Sequence, residues 1–260
     1  MDRPRPSIIT ALFWAYWDLW HVLQKAWRVA LFAFLILSVG SVVAAVGPIR
    51  LTHDPLGQAI MRLAILIGLC FLLTPFFLTV HRFLLLGEEP TRYAFEPRSP
   101  RFQLFFGWLA VSAVLMSFPA TLATLVEAKA PVYYFDRPPL GFNSPILAFV
   151  AWLILQQLLV LFPAVAVDAP GAGWQNAIRD TLGHFWYALA VTILPIIPIR
   201  LLSLAVVPLL KAWTTPGSLT GLVASLLWLG TLLLIASTLL AVIATRLYQG
   251  IGERLNTPLR

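Results

Sequence analysis

Long apolar blocks separated by short polar segments dominate this chain. Six blocks reach the roughly 20 residues that a helix needs to cross the hydrocarbon core of a bilayer. They are continuously apolar rather than alternating in polarity, which favours helices over the strands of a β-barrel. The sequence therefore predicts an all-α, polytopic transmembrane helix bundle with about six spans, forming a single integral membrane domain over residues 1–260. The predicted spans are 27–47, 59–86, 103–126, 144–167, 185–210 and 219–247.

A Trp-rich segment, residues 1–26, precedes the first predicted span. Within it Asp18, His21 and Lys25 are three and four residues apart, so a helix places them on one face. Tryptophan suits the boundary between lipid headgroups and hydrocarbon. The pattern predicts an N-terminal amphipathic helix lying at the membrane interface. The alternative is that the segment only begins a long helix that continues into the first span. It is too long and too aromatic for a cleaved signal peptide, so we expect none.

Composition narrows the class further. Hydrophobic residues make up 60% of the chain and charged residues 11%, whereas soluble domains carry about 25% charged residues. In a chain this apolar, the net charge of +7 indicates loops that face anionic lipid rather than a nucleic-acid partner. Cys70 is the single cysteine, so no intrachain disulfide can form.

The distribution of basic residues predicts that both termini are cytoplasmic. With the N-terminus inside, twelve basic residues fall on the cytoplasmic side and six at or near the outer side, as the positive-inside rule requires. The cytoplasmic set is Arg3, Arg5, Lys25, Arg28, Arg82, Arg92, Arg98, Arg101, Arg179, Arg246, Arg254 and Arg260. The outer set is Arg50, Lys129, Arg137 and Lys211, with Arg62 and Arg200 near the outer ends of spans.

The stretch LTVHRFLLLGEEPTRYAFEPRSPRF, residues 78–102, ends the second predicted span. His81 and Arg82 are expected near the cytoplasmic headgroups. Gly87 is expected to end the helix, because glycine commonly follows the last helical turn. The three further arginines of the loop are expected to anchor it at the membrane surface.

Candidates for chemistry are few. The sequence contains no nucleophile elbow, P-loop, zinc-peptidase motif or Cys/His zinc spacing, so no catalytic residue, metal site or cofactor is predicted. Asp180 and His184 are four residues apart before span five, and a carboxylate that orients a histidine is part of a catalytic set. No nucleophile stands at a related spacing, so interfacial capping is favoured. Asp168 ends span four, where it either terminates the helix at the cytoplasmic surface or pairs with Arg82 or Arg179.

Arg200 follows Pro195 and Pro198 within span five. A charged residue at membrane depth is a candidate for function. Its position along the span also places it near the outer headgroups, where an arginine can snorkel. Both interpretations stay open: snorkelling, or an inward-facing binding role with Glu127 or Asp136 as the partner.

Proline and small residues mark several spans. Pro75, Pro119 and Pro163 interrupt spans two, three and four. Broken helices can mark transport sites, although proline is ordinary in transmembrane helices. Gly221 and Ser225 of span six are four residues apart, a pattern that predicts close helix packing, either inside the bundle or with a partner.

Three stretches, taken in order, resemble known proteins. They are FWAYWDLWHVLQKAWRVA, TVHRFLLLGEEP and LFPAVAVDAP followed by NAIRDTLGHFWYAL. They resemble uncharacterised six-span inner-membrane proteins of proteobacteria, and are distantly similar to the membrane domain of some glycerophosphodiester phosphodiesterases and to the YciC-like group. The resemblance implies the fold and the bacterial inner membrane. It implies no catalytic residue, because the phosphodiesterase chemistry of those proteins sits in a separate soluble domain.

Three functional hypotheses follow. The first is a non-catalytic accessory, assembly or scaffold subunit of a membrane complex, with a membrane-protein partner or a second copy of the chain. The second is a transporter or lipid-handling protein with a site between the proline-broken helices. The third is an intramembrane enzyme that uses His81, Asp180 or His184. Membrane lipids, anionic on the cytoplasmic face, are expected partners. The candidate polar residues are His81, Arg82, Asp168, Asp180, His184 and Arg200.

Overall fold

A computed structural model describes residues 7–90, 92–129, 143–213 and 218–257. Within these ranges the chain forms ten α-helices, a 3-10 turn at Arg254–Asn256 and no strand, which confirms the all-α prediction. The helices before residue 130 are α1 (Ile8–Lys25), α2 (Trp27–Leu51), α3 (Pro55–Leu86) and α4 (Pro100–Lys129). The later helices are α5 (Asn143–Leu158), α6 (Leu161–Ala166), α7 (Trp174–Leu182), α8 (Phe185–Ile193), α9 (Ile196–Trp213) and α10 (Leu219–Ile251).

Five stretches of the described residues are long and apolar enough to cross a membrane, so the chain is a multi-pass membrane protein. They coincide with five of the six predicted spans, and the predicted span 144–167 is the exception. The five stretches are Trp27–Leu51, Pro55–Leu86, Pro100–Leu122, Phe185–Leu209 and Val223–Ile251.

The predicted fourth span is divided into α5 and α6 by a turn at Leu159 and Val160. Pro163 supplies the physical reason. Its nitrogen has no hydrogen to donate to the carbonyl of Leu159, four residues earlier, and its ring crowds that carbonyl. The Leu159 N–H donates to the carbonyl of Gln156 at 3.3 Å, which is a tighter turn than an α-helix makes. This segment is therefore not the continuous helix of a simple span.

Predicted span five is also interrupted, between α8 and α9. Pro198 cannot donate to the carbonyl of Leu194, and that carbonyl accepts a 3.3 Å hydrogen bond from the Ile197 N–H instead. The carbonyl of Pro195, in the same turn, accepts a hydrogen bond from the Tyr16 hydroxyl at 2.6 Å. The break in this span is thus a contact point for α1.

Helices α1 and α2 are separate, because the backbone at Ala26 leaves the helical region (φ −100°, ψ 24°). The buried face of α1 includes Ala15, Val22 and also Asp18, while Trp17 and its neighbouring tryptophans are exposed. The interfacial position of α1 stays a prediction.

One end of the bundle brings together α1 and the C-terminal end of α10. Asp18 pairs with Arg246, with 2.5 Å between Oδ2 and Nε. His81, near the end of α3, lies 2.8 Å from the hydroxyl of Thr245 in α10. The buried helix α6 and the buried last third of α10 lie in the same region. We name this region the charged end, and define it by four ion pairs: Asp18–Arg246, Arg82–Glu88, Arg101–Asp168 and Asp180–Arg254.

Helix α10 packs closely against α2 where Gly230 faces Ser38. A Cβ atom on Gly230 would overlap Ser38 Oγ and would lie 3.0 Å from Phe34 Cε2. Ser225 of the predicted small-residue pattern is exposed, so the pattern does not mark this contact inside the bundle. Packing of that face against a partner stays a prediction.

Candidate functional site at the charged end

Arg82 connects the end of α3 to two other segments. Its Nε and Nη2 donate to both carboxylate oxygens of Glu88, with 2.7 Å between Nε and Oε2. Its Nη1 donates to the carbonyl of Ala166 at 3.2 Å. Gly87, in the left-handed region (φ 69°), ends α3 as predicted and turns the chain so that Glu88 reaches back. The planar guanidinium suits such forked pairing.

Asp168 pairs with Arg101 rather than with Arg82 or Arg179, the two partners expected from the sequence. Arg101 Nε is 3.0 Å from Oδ1, and Nη2 donates to the other carboxylate oxygen. Arg82 is already engaged by Glu88. Asp168 itself adopts a φ of 53° after α6, a conformation that short polar residues tolerate better than most. The pair joins the first turn of α4 to the chain that leaves α6, and the guanidinium lowers the pKa of the Asp168 carboxyl.

We expect Arg101→Gln to lower the unfolding free energy by less than about 1 kcal/mol, because the pair is partly exposed and screened by water. The folded-state pKa of Asp168 lies below its ordinary value of 3.8. The stabilisation is therefore present above pH 3.8 and is lost as the pH falls through the lowered pKa. Thermal unfolding of both proteins from neutral to acidic pH measures this. If the stability difference between the wild type and Arg101→Gln grew as the pH fell, the pairing of Arg101 with Asp168 would be contradicted.

His81 is buried, with 2% of its surface exposed. The Thr245 hydroxyl donates to the carbonyl of Ala241 at 2.9 Å, so it can only accept from His81 Nδ1 at 2.8 Å. The imidazole therefore carries its proton on Nδ1. The ring of Phe105 packs beside it, with 5.8 Å between centroids. In this arrangement His81 links α3 to α10.

Asp180 and His184 do not form the helical pair that their spacing allows, because α7 ends two residues before His184. Asp180 Oδ2 instead accepts the backbone N–H groups of Arg254 at 3.0 Å and Leu255 at 3.3 Å. His184 Nδ1 bonds to the carbonyl of the preceding residue. Asp180 thus caps the 3-10 turn and holds the C-terminal segment against α7. Burial raises the pKa of its carboxyl, against the lowering effect of those hydrogen bonds.

We expect Asp180→Leu to cost about 1–3 kcal/mol of unfolding free energy, because two backbone N–H groups lose their acceptor. Asp180→Asn keeps an acceptor oxygen and is the matched control. Since the folded-state pKa of Asp180 is raised, the native state binds this proton more tightly than the unfolded state does. The stabilisation from the protonated carboxyl is present at low pH and is lost as the pH rises through the raised pKa. The unfolding free energy of Asp180→Asn, relative to that of the wild type, should therefore increase as the pH rises. Thermal unfolding at several pH values checks both variants, and equal losses in Leu and Asn would argue against the cap.

The pairing of Asp18 with Arg246 was not predicted, because 228 residues separate the two. Asp18 is 8% exposed, and burial of a carboxylate needs a partner. The Arg246 guanidinium also lies 5.3 Å from the ring centroid of Trp14, a cation–π distance. A cavity of about 270 Å³, lined also by His21 and Gln249, adjoins the pair. One signal was available: a lone aspartate on the tryptophan-rich helix.

Arg200 is exposed on α9 and forms no ion pair with the described residues. Asp136 and the side chain of Glu127, its two expected partners, lie outside the part of the chain that the structure describes. The choice between snorkelling and an inward-facing role stays a prediction.

A second cavity, of about 280 Å³, lies between the end of α3, the loop that follows Gly87 and the first turn of α4. We name it the elbow cavity. Its lining combines arginines and glutamates with an apolar wall, so it can hold a polar or charged group beside hydrocarbon. Across the described ranges, no three His, Cys, Asp or Glu side chains are grouped so that they could hold a metal ion.

Comparisons with known proteins returned no match. No family model matches the chain, and neither a curated protein nor a solved structure matches it significantly. The resemblance to six-span inner-membrane proteins therefore stays a prediction.

Proposed function

We propose that this chain is a non-catalytic accessory or scaffold protein of the bacterial inner membrane. One observation carries the proposal: the polar residues at the charged end are used to join helices. Arg82 links α3 to the end of α6, His81 links α3 to α10, and Asp180 holds the C-terminal segment. Polar groups that join helices of the same chain in this way suit a protein that holds other components in place.

We also propose six crossings with both termini cytoplasmic. Asp18 and Arg246 bring α1 and the end of α10 to the same end of the bundle. A chain that enters and leaves at one end crosses an even number of times. Five stretches are of span length, and residues 143–166, α5 with α6, supply the sixth crossing. The basic residues near this end support a cytoplasmic orientation.

The exposed tryptophans of α1 support its placement at the interface. Trp17 and Trp20 are each more than half exposed, and indole rings prefer the headgroup level. The opposite face of α1 is buried against the bundle. The helix would therefore lie along the inner surface with its aromatic side towards lipid. Anionic lipid would meet the surrounding arginines.

The experiment that tests the accessory role is purification of the tagged protein in a mild detergent, followed by mass spectrometry of the bound proteins and lipids. We expect a stoichiometric membrane-protein partner that is also crosslinked to the chain in intact cells. A second tagged membrane protein, handled identically, removes the detergent background. A monodisperse, partner-free monomer with no crosslinked species in cells would overturn the proposal.

Lipid handling is the second candidate function. It is favoured by the elbow cavity, which lies where two span-length helices end.

A further inference from the structure

We propose that the elbow cavity binds the headgroup of a phospholipid that carries one phosphate and one primary ammonium group. The inference goes beyond the accessory role and does not depend on it. The cavity combines three arginines with three glutamates, an equal number of positive and negative groups. These are Arg82, Arg92, Arg101, Glu88, Glu89 and Glu96.

Two of the three arginines already have carboxylate partners. Arg82 forms its forked pair with Glu88, and Arg101 forms a similar pair with Asp168 from the segment after α6. Both pairs use Nε and one terminal nitrogen of the guanidinium. These arginines therefore build the walls of the cavity, and their charge is largely neutralised before a ligand arrives.

Three charges remain for a ligand: Arg92, Glu89 and Glu96. All three are exposed, and within the described ranges none of them forms an ion pair. An anion alone would be attracted by Arg92 but repelled by the two carboxylates of Glu89 and Glu96. A cation alone would be attracted by the two glutamates but repelled by Arg92. A zwitterion pairs its phosphate with the arginine and its ammonium with the glutamates.

The apolar wall matches the rest of a phospholipid. Pro75 and Leu78 of α3 and Phe102 of α4 line the cavity beside the charges. Both helices include a span-length stretch; α3 ends near the cavity and α4 begins there. A lipid can therefore keep its acyl chains in the hydrocarbon while its headgroup enters the cavity. A soluble zwitterion of the same chemistry has no group that uses this wall.

The test is lipid retention by the whole protein, using nanodiscs that contain equal amounts of phosphatidylethanolamine and phosphatidylglycerol. After extraction into mild detergent, native mass spectrometry counts the lipids that stay bound. We expect the wild type to retain phosphatidylethanolamine in roughly tenfold preference, the ratio that one charge-assisted contact provides. Phosphatidylcholine, whose quaternary ammonium cannot donate a hydrogen bond, should be retained less well.

Variants test separately the arginine that would bind the phosphate and the glutamates that would bind the ammonium group. Arg92→Gln should lower phosphatidylethanolamine retention about tenfold. The double variant Glu89→Gln/Glu96→Gln should lower it as well, and should raise phosphatidylglycerol retention, because the repulsion is removed. Arg98→Gln is the matched control, since Arg98 is an exposed arginine of the same loop that does not line the cavity.

Soluble glycerophosphoethanolamine distinguishes a lipid from a free headgroup. We expect it to displace the bound lipid only weakly, because it leaves the apolar wall unfilled. Displacement at equal concentration would overturn the lipid assignment. The whole proposal fails if the wild type shows no preference, or if Arg98→Gln matches Arg92→Gln. Partner co-purification from the same variants reports the accessory role separately, and unchanged labelling of Cys70 verifies that each variant is folded.

Discussion

Replacing Gly171 with alanine is expected to release the C-terminal segment from α7 and to lower the unfolding free energy by about 1–3 kcal/mol. A Cβ atom at this position would overlap the backbone carbonyl oxygens of Arg254 and Thr257 and would lie 3.0 Å from that of Leu255. Backbone oxygens cannot rotate away as a side chain can. The same turn depends on the 3.0 Å hydrogen bond from the Gly171 N–H to the Leu255 carbonyl.

Limited trypsin digestion measures the release, because cleavage after Arg254 requires the segment to leave α7. Faster cleavage should accompany a lower melting temperature. Gly173→Ala is the matched control: its Cβ would meet nothing nearer than 3.9 Å, and its backbone is already extended. Equal protection of the two variants would show that the C-terminal segment does not pack against Gly171.

Gly230→Ala is expected to cost about 1–3 kcal/mol, because the side chains of Ser38 and Phe34 in α2 must shift to admit the new Cβ. The new Cβ would overlap Ser38 Oγ, a buried oxygen that has no hydrogen-bond partner among the described residues. Cys70 offers the readout, because it is the single cysteine and it is buried. Labelling of its thiol by a fluorogenic maleimide during heating reports unfolding. Gly250→Ala in the same helix has no atom within 4 Å of the new Cβ and should be neutral or mildly stabilising.

A second substitution makes the prediction about Gly230 specific. Ser38→Ala removes the overlapped oxygen, and the nearest remaining atoms stand 3.0 and 3.1 Å from the new Cβ. Gly230→Ala should therefore cost less in the Ser38→Ala background than alone, by about 0.5–3 kcal/mol of coupling. Strictly additive losses would mean that the two residues do not touch.

Much of the fold could be predicted because the signals are local. The apolar blocks predicted all five span-length stretches of the described residues, and Gly87 predicted the end of α3. Asp54 accepts the Gly57 N–H at 2.7 Å and Pro55 occupies the first helical position, a start signal that is also readable from sequence. Such features depend on neighbours a few residues away, which a sequence displays directly.

The prolines have structural effects that local sequence does not predict. Pro75 and Pro119 lie inside continuous helices, whereas the chain breaks before Pro163 and Pro198. All four lack the same hydrogen. The outcome depends on whether neighbouring segments and side chains accommodate the carbonyl that each proline leaves without its helical hydrogen bond. At Pro75 that carbonyl belongs to Phe71. The Thr74 hydroxyl donates to the carbonyl of Cys70, one residue earlier, and so stabilises the same turn. Such support depends on the packed structure.

The partners at the charged end could not be predicted, for a related reason. Asp168 had several arginines within reach of the same face, and selection of Arg101, 67 residues away, depends on how α4 and α6 pack. Asp180 accepts the backbone N–H groups of Arg254 and Leu255, and it also pairs with the Arg254 side chain, 74 residues away. Sequence patterns identified which residues matter in these cases, but not what each one contacts.

Helix α6 determines where this protein can accept sequence change. Its six residues pack against α3, α4 and α10, and five of them are buried: Leu161, Pro163, Ala164, Val165 and Ala166. A larger side chain there would displace three long helices at once, whereas many positions of α4 and α9 are exposed and replaceable by other apolar residues. Across descendants of a common ancestor, the sequence of this six-residue helix should change more slowly than the sequences of the long exposed helices.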